Sequence, residues 1–155
     1  MIRNLERSRA FYGAVVGLTQ EYFVGDMGCS TAAAIVGIPA SAHLRAVILK
    51  APGVDYGMLG LFELPPSTPS IVPREGGLAL GEAVMVFYVE DLFRALQAAK
   101  AHGGRIATPA QTLNGRLEVA LRDPDGLALN LIERPVSEAY RQRAPGDPLG
   151  WPPCA

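Results

Sequence analysis

Two stretches of the chain echo each other, and that echo limits the fold more than any other feature. "NLERSRAFYGAVVGL" and "EDLFRALQAAKAHGG" each open on a polar residue, carry an early leucine and end at glycine. Each half then closes on an apolar strand interrupted by a polar residue, "MLGLFEL" in the first and "LALNLIE" in the second. A unit repeated in this way implies a fold assembled from two copies of one motif. The unit reads as βαβββ, and the first copy lacks its opening strand.

The local signals support that reading. Asn4 is placed to cap a helix over 5–16, with Glu6 in the first turn and Gly17 as the stop. Leu5, Phe11, Tyr12, Val15 and Val16 fall mainly on one face of it. Strand-like runs follow at 19–24, 31–36, 44–50 and 58–64, the last after the Pro52-Gly53 and Tyr56-Gly57 punctuation. Residues 65–82, "PPSTPSIVPREGGLALGE", are rich in Pro, Ser and Gly with no sustained period, as expected of a linker. The organisation then restarts. Residues 83–89 are apolar throughout and predict a buried strand. Asp91 caps a helix carrying Leu92, Leu96 and Ala99, which Gly103-Gly104 ends. Strands are expected near 104–107, 111–113, 116–122 and 127–133. Asn114-Gly115 is a strong hairpin signal, and Asp123-Pro124-Asp125-Gly126 a tight turn. The chain thus divides into a first module over 1–64, the linker over 65–82, a second module over 83–134, and an irregular Pro-rich tail over 135–155.

Bulk properties exclude several classes of function. At 155 residues the chain suffices for one domain or two closely packed modules. An apolar fraction of 49% with 19% charged residues is that of a folded globular chain. A net charge of −1 and a pI near 6.1 argue against a general nucleic-acid binder. No apolar run is long enough to cross a bilayer, and Arg3, Glu6, Arg7 and Arg9 break any signal-peptide pattern. Cys29 and Cys154 fit no metal or redox spacing, and the expected location is the reducing cytoplasm. No Ser-His-Asp or Cys-His set can be assembled, and "REGGLALGE" lacks the lysine and context of a P-loop.

One residue stands out. In Leu127 to Ile132 both alternating faces are apolar except at Asn130. A strand apolar on both faces is normally buried on both, and an amide within it needs hydrogen-bond partners.

"NLERSRAFYGAVVGL", "VMVFYVEDLFRALQAAKAHGG" and "LRDPDGLALNLIE" resemble the vicinal oxygen chelate superfamily of glyoxalases, bleomycin-resistance proteins and extradiol dioxygenases. The resemblance covers most of residues 4–134. It implies an α+β fold in which two βαβββ modules form a curled mixed sheet around a cavity. Many members hold a divalent metal there, using one side chain from the first and one from the last strand of each module; others bind ligands without metal. Carried over residue by residue, the pattern is largely absent. The opening strand of the first module, with its ligand, is missing. Glu63 in "FEL" matches the closing strand of that module. Val84 stands where a histidine is common, and Asn130 where a glutamate is usual. One carboxylate and one amide are a poor set for Zn²⁺, Fe²⁺ or Mg²⁺, so no metal or other cofactor is expected.

The candidate site residues follow. Glu63 is a candidate proton acceptor, or else a salt-bridging residue at a sheet end. Tyr88 shares a strand face with Val84 and Val86 and is a candidate acid or donor, or a core ring with its hydroxyl at the rim. Asn130, Val84 and Arg45 are candidate ligand contacts, with a surface charge the simpler reading of Arg45. Asn130 has the alternative of being satisfied by neighbouring backbone. His43 and His102 fit no ligand spacing. Glu118 and Arg122 lie on one strand face and are expected to pair across an outer surface.

Two functions fit the resemblance. One is a metal-independent lyase or isomerase acting on a small oxygenated or aromatic molecule. The other is a binding protein that sequesters such a molecule, as bleomycin-resistance members do. A truncated, inactive relative is a third reading. A homodimer is expected, because a module without its first strand leaves an unpaired sheet edge. A partner covers that edge, another segment does, or the natural chain begins upstream of Met1.

Overall fold

The computed structural model describes residues 1–28, 31–35, 37, 43–54, 56–69 and 81–135. Most of the linker, the tail beyond Pro135, and both cysteines lie outside them.

The first module begins with helix α1, Leu5–Val16. The Asn4 side chain accepts from the Arg7 N–H at 2.8 Å, closing its N-terminus. Gly17 ends it in the left-handed conformation at φ 74°, which a glycine adopts without a Cβ penalty. Strands β1 (Gln20–Asp26), β2 (Arg45–Lys50) and β3 (Leu59–Phe62) then form an antiparallel three-stranded sheet in the order β1-β2-β3. Between β1 and β2 lies a short helix α2, Thr31–Ile35. A strand was expected here over 31–36. The run "TAAAI" alternates weakly, but its three alanines favour helix, and Ala33 is buried beside Leu44.

The second module is more complete. Strand β4 (Val84–Val89) leads into helix α3 (Leu92–Ala101), capped by the Asp91 side chain on the Arg94 N–H at 2.9 Å. Strands β5 (Arg105–Ile106), β6 (Gln111–Leu113), β7 (Arg116–Arg122) and β8 (Ala128–Glu133) follow. The sheet order is β4-β8-β7-β5, with β6 also paired to β7. Among the described strand pairs only β4 and β8 run parallel. The β6–β7 hairpin turns at Asn114 and Gly115, whose φ values of 52° and 73° are those of the tight turn this dipeptide predicts.

The two modules share one connection pattern. In the second, Val89 of β4 faces Glu133 of β8 in parallel. In the first, Ile2 makes a single parallel bridge to Glu63. Its N–H donates to Phe62 at 2.9 Å, and its carbonyl accepts from Leu64 at 3.0 Å. One bridge thus stands at the place of the opening strand of the first module. The architecture is α+β with mixed sheets, not closed into a barrel, and the strands divide between two sheets rather than forming one continuous sheet.

The larger of two buried clusters joins the halves. Phe11, Tyr12 and Val15 of α1, Val47 and Leu49 of β2, Leu92 and Ala99 of α3, and Leu121, Leu129 and Leu131 of β7 and β8 are all buried within it. The "DPDG" turn is where the halves lock. Asp123 is buried, and its Oδ1 accepts from the N–H groups of Asp125 and Leu127 at 2.9 and 2.8 Å. Its Oδ2 accepts from the Tyr12 hydroxyl at 2.8 Å. Asp125 accepts from Arg7 Nη2 at 2.9 Å and from the Ser8 hydroxyl at 3.1 Å. Burial first, then the neighbouring Asp123 charge, raises the Tyr12 pKa far above its ordinary value. The Phe-Tyr pair and the turn that carry the family resemblance are thus two sides of one structural joint.

Candidate functional site

The face of the larger sheet turned away from α1 and α3 carries the polar residues that the core does not use. The strand register defines it. Leu129 and Leu131 of β8 point into the core, so Asn130 and Ile132 point the other way. Val86 of β4 lies beside Asn130, and Tyr88 beside Ile132. On the other flank Ala120 of β7 is level with Asn130, and Glu118 with Ile132.

Strand β4 was expected to be buried. Instead, among the described strands, it lies at the sheet edge, and Val84, Val86 and Tyr88 are 41%, 56% and 46% exposed. An apolar run usually signals two covered faces; here one of those faces is open. Asn130 is half-buried, and its Nδ2 donates to Glu118 Oε2 at 3.1 Å. Its partner is thus a carboxylate side chain rather than backbone. The amide oxygen has no protein partner among the described residues. Glu118 and Arg122 do not pair with each other: Arg122 bonds Glu82 and donates to the Gly126 carbonyl at 2.9 Å. Tyr88 lies beneath the guanidinium of Arg134, 4.8 Å from ring centroid to Cζ. Arg134 was not singled out from the sequence; the β8 alternation continued two residues past Ile132 would have found it.

Glu63 and Arg45 sit elsewhere. Glu63 Oε1 accepts from the Leu5 N–H at 2.9 Å, at the start of α1. Its Oε2 pairs with Arg45 Nη1 at 2.9 Å, and Arg45 Nη2 reaches Glu6 at 3.1 Å. Glu133 does the same for α3, accepting from the Leu92 N–H at 2.9 Å. A carboxylate at a helix N-terminus is favoured by unmet N–H groups and the helix dipole. Glu63 is thus the counterpart of Glu133, not of Asn130. Counting back along both strands from these glutamates, Gly60 stands level with Asn130. A Cβ at Gly60 would lie 2.7 Å from the Phe62 ring, so an aromatic ring fills the corresponding place in the first module.

The structure thus brings Val84, Tyr88 and Asn130 onto one face and leaves Glu63 and Arg45 as a pair at the α1 N-terminus. His43 bonds Asp26 at 3.1 Å on the surface, and His102 caps α3. A shallow cleft of about 270 Å³ lies along α1, lined by Glu6, Arg9, Gly13 and Thr19 among others, apart from the Asn130 face.

The side chains at the expected ligand positions do not fit a divalent metal. Val84 has no donor atom and Asn130 is neutral, and Gly60 offers no side chain at the matching place in the first module. Among the described residues no three of His, Cys, Asp and Glu come together in a way that could hold an ion.

Comparison with known proteins agrees with the fold. A glyoxalase-family protein of Bacillus cereus superposes with a TM-score of 0.69 at 19% identity, covering 85% of this chain and 87% of that one. A glyoxalase/bleomycin resistance protein/dioxygenase domain from a Frankia species gives 0.55 at 19% identity, covering 86% and 91%. The fosfomycin resistance protein FosX of Mesorhizobium loti gives 0.53 at 14% identity, covering 88% of each. No curated protein matches. No described helix is long and apolar enough to cross a membrane. The family model of the Glyoxalase/Bleomycin resistance protein/Dioxygenase superfamily matches residues 1–131, and the chain belongs to that superfamily.

Proposed function

We propose that the chain binds a small oxygenated or aromatic molecule against the open face of β4, β8 and β7. The observation that carries this reading is the placing of the Asn130–Glu118 pair among exposed Val84, Val86 and Tyr88. Apolar side chains beside a few convergent polar groups are the usual make-up of a small-molecule site. Relatives in the superfamily include fosfomycin- and bleomycin-resistance proteins, which supports a small-molecule ligand.

The reaction that suits these residues is a lyase or isomerase step without a protein-held metal. Asn130 and Tyr88 polarise a carbonyl oxygen by hydrogen bonding. Glu118 takes the proton. It replaces Glu63 in that role, because both Glu63 oxygens are already engaged at the α1 N-terminus. Sequestration without turnover is the second reading, favoured by the openness of the face at Val86. The outer edge of β4, unpaired among the described residues, favours a homodimer, which light scattering on purified protein measures directly.

The test is a ligand-observed NMR screen of small aromatic carbonyl compounds against the full chain. Binding should disappear in Val86→Trp, which fills the face, and weaken in Asn130→Leu. Bound compounds unaffected by both substitutions would overturn the site. Glu118→Gln should abolish turnover while sparing binding if the chain is an enzyme.

A further inference from the structure

We infer that the ligand carries a carboxylate and that Arg134 receives it, an assignment that rests on the site proposed above and names its ligand class. Arg134 follows Glu133 at the end of β8, and its guanidinium covers the Tyr88 ring at 4.8 Å. Its Nε is buried without a hydrogen-bond partner. Among the described residues no carboxylate pairs with it. Arg122, on the same sheet face, shows the contrast: Glu82 and the Gly126 carbonyl hold it. By strand register the neighbouring acids are Glu90, level with Arg134 beyond the end of β4 and making no ion pair with it among the described residues, and Glu118, two residues back and engaged with Asn130.

A half-buried cation with no counter-charge is an unfavourable arrangement that an anion relieves. The stacked geometry also prepares the group. With the guanidinium over Tyr88, no side chain among the described residues bonds its two Nη groups, and that end of the fork matches the two oxygens of a carboxylate. Asn130 and Arg134 are four residues apart on one strand, so their α carbons lie roughly 13 Å apart. The Arg134 side chain shortens that gap by folding back over Tyr88, which is level with Ile132. An aromatic acid fits the span, with its carboxylate at Arg134, its ring over Val86 and Tyr88, and a polar substituent toward Asn130.

The experiment compares benzoate with its neutral isostere benzamide on the full chain, by saturation-transfer NMR and titration. Benzoate should bind at least about tenfold more tightly, as expected when a charge-assisted hydrogen bond is lost with the anion. Arg134→Met, which keeps an apolar stem over Tyr88, should bring the two ligands to equal affinity. Arg134→Lys should restore part of the difference. Rising salt should weaken benzoate alone, a readout that needs no variant to fold. Equal binding of benzoate and benzamide by the unmodified chain would overturn the carboxylate assignment. So would benzoate affinity unchanged in Arg134→Met. If benzamide binding is then lost in Val86→Trp, the site itself stands. If neither compound binds, both the carboxylate and the site that it presupposes are overturned.

Discussion

The first module uses its helix to hold the molecule together, whereas the second presents the open polar face. Leu5 and Leu92 occupy equivalent places, each donating to the glutamate that ends its module. Counting along both helices from these leucines, Ser8, Phe11 and Tyr12 fall level with Ala95, Ala98 and Ala99. The side chains of α1 reach across to the "DPDG" turn of the other module. Those of α3 are small and let α1 approach. At the closing strands the division is reversed. Gly60 lies against the Phe62 ring, while Asn130 presents an amide to an open face. A repeated fold thus need not repeat its surfaces: large and polar residues at one set of positions make a joint, and at another they line the open face on which we place the ligand.

The sharpest way to break this comparison is to remove the joint. Asp123→Ala leaves the Tyr12 hydroxyl and two turn N–H groups without their acceptor. A loss of about 3 kcal/mol or more is expected, since each unmet buried donor costs about 1–3 kcal/mol. Urea unfolding measures it. Tyr12→Phe should cost less, because the two turn N–H groups keep Asp123. The joint also sets an alkaline limit. The folded chain holds the Tyr12 proton more tightly than the unfolded chain, whose tyrosine titrates near 10.0. The stability from this difference is fully present below that pH and declines as pH rises beyond it. Tyr12→Phe should flatten the decline. An alkaline unfolding curve unchanged by that substitution would remove Tyr12 from the account.

Close approach at the junction gives the next effect. A Cβ at Gly104 would lie 2.7 Å from a Phe11 ring carbon and 3.0 Å from the Ala99 carbonyl. Gly104→Ala should therefore cost about 1–3 kcal/mol through overpacking. Gly17→Ala provides the contrasting case, since nothing lies near its Cβ and only its positive φ opposes the change. If the two variants unfold alike, crowding at Phe11 is not what Gly104 relieves.

The helices, the hairpin and the paired modules were legible because each rests on local chemistry. Asn4, Asp91, Gly17 and the Asn114-Gly115 turn announce their backbone geometry in a few adjacent residues. The candidate face was only half legible. Period-two alternation places Tyr88 with Val84 and Val86, and the family pattern points to Asn130. Alternation cannot say whether an apolar face is covered, so β4 read as buried. It also cannot say which carboxylate meets which donor. Glu63 looked like a site residue because its strand matches the pattern, yet the N–H groups of α1 and Arg45 claim it from elsewhere in the chain. Glu118 and Arg122 share a face and still bond different partners, Asn130 and Glu82, because those partners arrive from other elements. Helix α2 was missed because five residues are too few for periodicity to decide between helix and strand.

The smallest expected effect separates the modules by acid. Asp26, at the end of β1, is held at a pKa of about 2 rather than 3.8 by the N–H groups of Gly28 and Leu44 and then by His43. Its folded pKa is depressed, so the stabilisation is present above the ordinary carboxylate range and is lost as pH falls from 3.8 toward about 2. The group is exposed, and the change should be slight and local. Its partners all lie in the segment joining β1 to β2. Amide signals of β1 and β2 should therefore shift or broaden in that window before those of β7 and β8. Asp26→Asn should remove the difference in order. If the strands of both modules respond together in the unmodified chain, the shared core couples them too tightly for a local contact to be released alone. The division between a scaffold half and a site half would then describe side chains only, not separately stable parts.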